Sequence, residues 1–277
     1  MLCDYHIHSE YSDDSHYPMD EVVKKAIELG LEEICFTDHV DYGIKIDHDD
    51  PAQVRYDHEG NALYNVDYPR YFQQIEDLKK AYPGIIIKRG LEFGIQTQTI
   101  PLYEKLYQTY PMDFIILSIH QVGNEEFWNG DFQKTRQERE YYETYYQEMY
   151  DVMKTFKHYS ILGHLDMIKR YDDHDGYDAF ANHKEIITKI LKQAIEDGKG
   201  IEVNTSSFRY GLDDLMPSRE ILKLYHDLGG DIITIGSDSH QEAHLGAHIK
   251  DVQEELKAMG YTKIYTFDHM KPLAHEL

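Results

Sequence analysis

Long apolar runs are missing from this sequence. No stretch approaches the eighteen or more residues that a membrane-spanning helix needs, and the N-terminus, MLCDYHIHSE, has neither the basic segment nor the apolar core of a secretion signal. We therefore expect no membrane association and a cytosolic location.

Cysteine is scarce as well. The chain of 277 residues contains two, Cys3 and Cys35, and each lies in an apolar segment typical of a buried strand. A buried thiol usually behaves as a small core side chain, so we expect neither a disulfide nor a cysteine-bound metal.

Positive charge is the third shortage. Lysine and arginine number 28 against 51 aspartates and glutamates, which gives a net charge of −23. Such a charge repels the phosphates of nucleic acid polymers, so we do not expect a general nucleic-acid-binding protein unless metal or a local basic patch reverses the field. A small phosphorylated substrate would need metal ions or a local basic group to reverse the field. The sequence has no heptad pattern that would define an oligomer.

Repeats, low-complexity segments and Pro/Gly/Ser-rich linkers are absent, so we predict one domain over residues 1–277. Short apolar runs alternate with amphipathic ones, which is typical of βα units and a parallel sheet. We predict seven strands, at 2–7, 33–37, 84–92, 113–119, 160–163, 200–204 and 231–237. The predicted helices lie at 19–30, 69–82, 100–110, 133–157, 182–198, 218–229 and 250–260. This pattern indicates a barrel or a doubly wound sheet.

One irregular segment, residues 40–68, is long for a structureless loop in a compact domain. It is either a functional element, such as a lid or a substrate-binding insertion, or a disordered surface insertion.

Histidine is abundant, with seventeen residues, and its placement is informative. A lone histidine would be an ordinary core or surface residue, and eleven of the seventeen scatter in that way. The others join two acidic residues at the ends of predicted strands: His6, His8, His39, Glu92, His120, His164, Asp238 and His240. In a parallel barrel all strand C-termini share one face, so these residues should converge.

Imidazole and carboxylate ligands together suit Zn²⁺, Mn²⁺ or Fe²⁺ better than Mg²⁺ or Ca²⁺. About eight such groups exceed what one ion needs, so we predict a cluster of two or three ions. Such clusters act as clamps in phosphate ester hydrolysis.

Together these residues resemble a known family. HIHSEYSDD, FTDH, GLEFG, LSIHQV, ILGHLD and GSDSH are similar to the successive motifs of the polymerase and histidinol phosphatase (PHP) family, in their usual order. The segments LSIHQV and EVNTSSFR most resemble its members in the histidine pathway. The resemblance implies a distorted, TIM-like (β/α)7 barrel that holds three divalent ions. It also implies hydrolysis of L-histidinol phosphate by a hydroxide that bridges the ions and attacks phosphorus.

The resemblance further implies a ligand set. It assigns the first ion to His6, His8, Glu92 and Asp238, the second to Glu92, His120 and His164, and the third to His39, His240 and a residue of SDD. Relatives place a histidine at that last point. Asp14 has the matching spacing, whereas Asp13 matches more distant relatives, and we take Asp14.

Substrate contacts are expected beyond the sixth strand. Arg209 is the candidate for a bidentate phosphate contact, and Asn204 and Ser206 are further candidates, although NTSS could equally be a capping turn. Asp38 either orients a ligand imidazole or donates a proton to the leaving alkoxide. Our candidate catalytic residues are therefore Asp38, Arg209, Asp238 and His240.

Three alternatives stay open. The chain could be a PHP-family phosphoesterase for another small phosphate ester, such as a nucleotide or a short oligonucleotide. It could be a metal-binding barrel without catalytic activity, although every expected motif keeps a ligand-type residue. An amidohydrolase barrel would also begin with HxH, but it would usually use a bridging lysine where Glu92 stands here.

Overall fold

Seven parallel strands form the main sheet, in an order that follows the chain. The computed structural model describes residues 1–50, 55–56, 60, 62–172 and 176–277. Its strands are β1 (Cys3–Ile7), β2 (Glu33–Phe36), β3 (His39–Val40), β4 (Arg55–Tyr56), β5 (Ala62–Leu63), β6 (Ile86–Gly94), β7 (Phe114–Ser118), β8 (Gln121–Val122), β9 (Glu125–Glu126), β10 (Ile161–Leu162), β11 (Gly200–Asn204), β12 (Ile233–Gly236), β13 (Lys263–Asp268) and β14 (Lys271–Glu276). The main sheet runs β1-β2-β6-β7-β10-β11-β12, and β3 also pairs with β6.

The sheet nearly closes into a barrel. The His8 N–H donates to the Ser239 carbonyl at 2.8 Å, and an isolated parallel bridge joins Ile7 to Ser239, so the first strand meets the chain just after the last. The predicted fold class, a (β/α)7 barrel, is confirmed, and so are all seven strands. That the whole chain 1–277 forms one domain stays a prediction.

Helices connect the strands. They are α1 (Met19–Glu28), α2 (Tyr68–Ala81), α3 (Ile100–Thr109), α4 (Glu138–Thr155), α5 (Ala179–Glu196), α6 (Ser206–Arg209), α7 (Arg219–Asp227) and α8 (Ile249–Ala258). Each predicted helix overlaps one of these, and α1 begins at Met19, directly after its N-cap residue Pro18. The short helix α6 was not predicted.

The strands are buried on both faces. All residues of β1, β2, β7, β10, β11 and β12 are buried, as expected where helices cover a parallel sheet. Cys3 and Cys35 are free and buried, which confirms their interpretation as core side chains. No helix of the described residues is long and apolar enough to span a bilayer.

A terminal hairpin, β13–β14, covers the end of the barrel at which the strands begin. Phe267 packs on Phe114 with ring centroids 5.1 Å apart, and Phe114 packs on Tyr5 at 4.9 Å. The sequence did not predict this hairpin because its turn residues, His269 and Met270, both adopt positive φ without the Asn-Gly signal typical of such turns.

The irregular segment 40–68 is only partly described, because residues 51–54, 57–59 and 61 lie outside the described residues. Tyr42, Ile44 and Val66 are buried, and β4 pairs with β5 in a short hairpin. The described part is therefore packed against the barrel. A role for the segment as a lid stays a prediction.

The N-terminus of α7 offers a test of the local structure. Ser218 is the N-cap, and its hydroxyl accepts a hydrogen bond from the Ile221 N–H at 3.3 Å. We expect Ser218→Ala to lower the free energy of unfolding by about 1 kcal/mol, measured by urea denaturation. As a control, Thr188→Ala removes a hydroxyl inside α5 that caps nothing, and its effect should stay within about 0.5 kcal/mol. Equal effects of the two changes would contradict this role of the cap.

Candidate metal centre

Histidines and carboxylates meet where the parallel strands end. These side chains form groups in which the ligand atoms of each group lie within 4.8 Å of one another. Three such groups together contain every ligand predicted from the sequence except His120: His8, Asp14, His39 and His240; His6, His8 and Asp238; and His6, Glu92 and His164. A fourth group, which consists of His39, Asp41 and His120, contains the remaining predicted ligand. The barrel therefore brings together side chains that lie as far apart in sequence as His6 and His240.

Glu92 lies at the centre of these groups. Its Oε1 is 2.8 Å from His164 Nε2 and 3.1 Å from His120 Nε2, and its Oε2 is 3.0 Å from His39 Nδ1 and 3.2 Å from His6 Nε2. Burial opposes ionisation, but the imidazoles outweigh it and hold the pKa of Glu92 well below its usual range. Glu92 lies inside β6 rather than at its end, because this strand runs on to Gly94.

Several close contacts at this centre do not have the geometry of hydrogen bonds. Among the described residues, His6 Nε2, His8 Nε2, His39 Nδ1 and Glu92 Oε2 are buried without a hydrogen bond. Buried polar atoms are normally satisfied, and an unsatisfied cluster needs an explanation such as an ion. Burial and the neighbouring imidazoles of His39 and His240 also hold the pKa of His8 well below its ordinary value. The low pKa favours the neutral His8 imidazole, which is the form that binds metals. The donor set therefore fits divalent metal ions.

The inner histidines are held from behind by acidic residues. His6 Nδ1 lies 2.6 Å from Glu202 Oε1, and His120 Nδ1 lies 2.8 Å from Asp41 Oδ1. Such contacts fix the tautomer, so that Nε2 presents its lone pair to the centre. Neither acid was predicted in this role; the available signal was a glutamate inside the otherwise apolar strand GIEVN.

Asp38 acts on the centre indirectly. Its carboxylate accepts hydrogen bonds from the Ser9 N–H, the Ser9 hydroxyl and the Ser12 hydroxyl, and Ser12 Oγ lies 3.1 Å from His8 Nδ1. Burial raises the pKa of Asp38 to about 6. These donors contact both oxygens, which favours the orienting role considered for Asp38; its role in catalysis stays a prediction.

The choice between the two aspartates of SDD has a geometric basis. Asp14 Oδ2 lies 3.0 Å from His240 Nε2 and 3.5 Å from His39 Nε2. Asp13 Oδ1 instead lies 2.5 Å from the Lys45 ammonium. This geometry favours Asp14, whose role as a ligand stays a prediction.

The structure places the three predicted substrate contacts differently from our expectation. Asn204 and Ser206 are completely buried; the amide of Asn204 donates to Glu202, and Ser206 Oγ accepts from Arg170. Arg209 donates to the carbonyls of Ser237 and Asp238 at 2.7 and 2.6 Å. In this arrangement all three support the strand ends, and as substrate contacts they stay predictions.

A second arginine was missed. Arg170 donates to Ser206 Oγ at 2.7 Å and to Asp238 Oδ2 at 3.3 Å, and its guanidinium lies 4.1 Å from the ring centroid of Tyr210. Its Nε is buried and has no hydrogen-bond partner among the described residues. The arginine follows β10 in a 3₁₀ turn, Met167–Tyr171, and no pattern in the sequence distinguishes it from a surface residue.

The comparisons with known proteins agree with this geometry. The PHP domain matches residues 4–206. A histidinol-phosphatase from Lactococcus lactis subsp. lactis is 32% identical over 97% of this chain and 95% of its own, and a probable histidinol-phosphatase from Thermotoga maritima is 27% identical over 94% and 93%. The crystal structure of a Lactococcus lactis histidinol phosphate phosphatase complexed with zinc, L-histidinol and phosphate superimposes with a TM-score of 0.82, at 30% identity over 98% of both chains. Since both the domain match and these relatives cover most of its length, this chain belongs to the PHP-domain family.

Proposed function

We infer that this protein is a histidinol-phosphatase, which hydrolyses L-histidinol phosphate to L-histidinol and phosphate. One observation carries the inference: unsatisfied buried imidazoles and a carboxylate converge in a chain that matches, over 98% of its length, a protein solved with zinc, L-histidinol and phosphate. Histidine biosynthesis and a cytosolic location follow from this activity.

We propose that three ions of Zn²⁺, Mn²⁺ or Fe²⁺ bind here. The ligands would be His6, His8, Glu92 and Asp238 for one ion, Glu92, His120 and His164 for another, and Asp14, His39 and His240 for the third. When bound, such ions neutralise phosphoryl oxygens and lower the pKa of the water that attacks phosphorus. Glu92 would bridge two ions, since its oxygens face different histidines.

The rest of the site prepares these ligands. Glu202 and Asp41 hold protons on the Nδ1 atoms of His6 and His120, so each ring keeps one orientation. Ser12 does the same for His8 with support from Asp38. The substrate therefore meets a site that needs little reorganisation.

Phosphate needs positive charge in a chain of net charge −23, and Arg170 supplies it beside the centre. Its guanidinium is 8% exposed, contacts Asp238 and keeps its buried Nε without a hydrogen-bond partner among the described residues. We propose that Arg170 donates to a phosphoryl oxygen. Arg209 would mainly fix Asp238, because two of its N–H groups bind backbone carbonyls.

The alcohol part of L-histidinol phosphate carries an ammonium and an imidazole, which favour an acidic neighbour. Glu125 and Glu126 lie in the β8–β9 hairpin that follows His120. Glu125 is already paired with Arg136 at 2.6 Å. Among the described residues, the Glu126 carboxylate accepts hydrogen bonds from neutral donors alone, Trp128 Nε1 and the Asn129 amide, so we propose Glu126 as the contact for the ammonium.

Phosphate release from a substrate panel tests the function. With protein loaded with Mn²⁺ or Zn²⁺, we expect kcat/KM for L-histidinol phosphate at or above about 10⁴ M⁻¹s⁻¹ and far above the values for mononucleotides and an aryl phosphate. Similar weak rates on all of them would point to a PHP phosphoesterase for another substrate. No release from any of them, with metal bound, would point to a barrel without catalytic activity.

A further inference from the structure

The segment after β3 carries a lysine into the candidate metal centre. Lys45 is 8% exposed, and its ammonium lies 2.5 Å from Asp13 Oδ1 and 3.0 Å from Asp41 Oδ2. A lysine is buried in this way only when its charge is paired. Both partners adjoin the centre, since Asp13 precedes Asp14 and Asp41 contacts His120.

The contact between Asp41 and His120 is built closely into the barrel. A Cβ on Gly94 would overlap Asp41 Oδ1 and lie 2.7 Å from His120 Nδ1, so glycine at this position makes room for the pair. The Asp41 N–H donates to Asn65 Oδ1 at 2.9 Å, which fixes its backbone as well. Asp41 is thus held from both sides.

The Lys45 ammonium supplies positive charge beside the Asp41 carboxylate. Without the ammonium, two carboxylates that share one cation would face each other without compensation, and repulsion would move Asp41 away from His120. His120 would then lose the acceptor that keeps its proton on Nδ1 and its Nε2 directed at Glu92, 3.1 Å away.

We propose that Lys45 is a positioning residue that acts on His120 through Asp41 and so sets how tightly the chain holds the metal ion on the His120 side of the centre. The proposal rests on the proposed function in one respect, that His120 is a ligand. It does not depend on which phosphate ester is the substrate.

The test is a double-mutant cycle read by metal binding. Zinc affinity, measured by competition with a chelator, is compared for the wild type, Lys45→Met, Asp41→Asn and the double variant. We expect Asp41→Asn to weaken the weakest zinc site by about 10–100-fold and Lys45→Met by about tenfold. The double variant should bind zinc no more weakly than Asp41→Asn alone, because Lys45 acts through Asp41. Excess zinc should restore most of kcat in Lys45→Met.

A matched control separates this role from simple anchoring of the segment. Lys88 is 13% exposed, pairs with Asp268 at 2.7 Å and lies at the opposite end of the barrel, so Lys88→Met should leave zinc affinity unchanged. Lys45→Gln serves if Lys45→Met does not fold. Unchanged zinc affinity in the Lys45 variant, or losses that multiply in the double variant, would overturn the proposal. Failure of the proposed function would give a different result, in which wild-type protein binds zinc but releases no phosphate from L-histidinol phosphate.

Discussion

Replacement of Glu92 by glutamine is expected to lower kcat on the order of 10³-fold and to remove at least one metal ion per chain. The amide keeps the shape of the side chain but loses the charge that four imidazoles share at 2.8–3.2 Å. Its NH₂ group would also point a donor at the centre, where a cation should lie. Metal content by mass spectrometry and steady-state phosphate release measure the two effects.

Glu33→Gln is the matched control for Glu92→Gln. Glu33 is also a buried strand glutamate, but its carboxylate accepts from the Tyr5 hydroxyl near the terminal hairpin. This variant should keep its metal content and its kcat at temperatures below its unfolding transition. If Glu92→Gln kept the full metal content and near-normal turnover, the cluster would not be the catalytic centre.

Replacement of Arg170 by methionine is expected to lower kcat/KM by about 10²-fold, because a charge-assisted hydrogen bond to phosphate is worth up to about 3 kcal/mol. Methionine fills much of the same space beside Tyr210 and removes the charge. Binding of inorganic phosphate, measured as product inhibition, should weaken by a similar factor. Metal content should stay unchanged, since a guanidinium is not a metal ligand and Asp238 keeps its ion pair with Arg209.

Arg89→Met provides the comparison for Arg170→Met. Arg89 is likewise partly buried and paired with an acid, Asp113 at 3.4 Å, but it lies where the strands begin. Its loss should leave phosphate inhibition unchanged. The opposite pattern, in which Arg209→Met weakens phosphate binding and Arg170→Met does not, would restore Arg209 as the phosphate contact that the sequence favoured.

The difference between the two arginines illustrates what a sequence can reveal. His6, His8, His39 and His120 could be found because each lies at or just after the end of an apolar predicted strand, and a parallel barrel gathers strand ends at one face. Arg170 lies in a 3₁₀ turn with no periodic signal, and only the folded chain shows its guanidinium beside Asp238.

The acids that contact the ligand histidines from behind could not be predicted from the sequence, for a related reason. Glu202 and Asp41 contact histidines 196 and 79 positions away, and such pairings depend on which strands are neighbours and in which register. Side-chain alternation put His6 and His8 on one side of β1, but it does not say which acid stands behind either ring. The hairpin β13–β14 escaped because its turn lacks the usual residues.

Closure of the barrel between Ile7 and Ser239 has a consequence for how the protein is made. His6 and His8 leave the ribosome near the start of synthesis, whereas Asp238 and His240 leave near its end, which at roughly 5–20 residues per second is a delay of tens of seconds. Two imidazoles on one strand hold a metal ion weakly, and the last ligands, Asp238 and His240, arrive only when the last strand docks on the first. Tight metal uptake would therefore be a late event in the maturation of this chain, and it would hold the finished barrel closed.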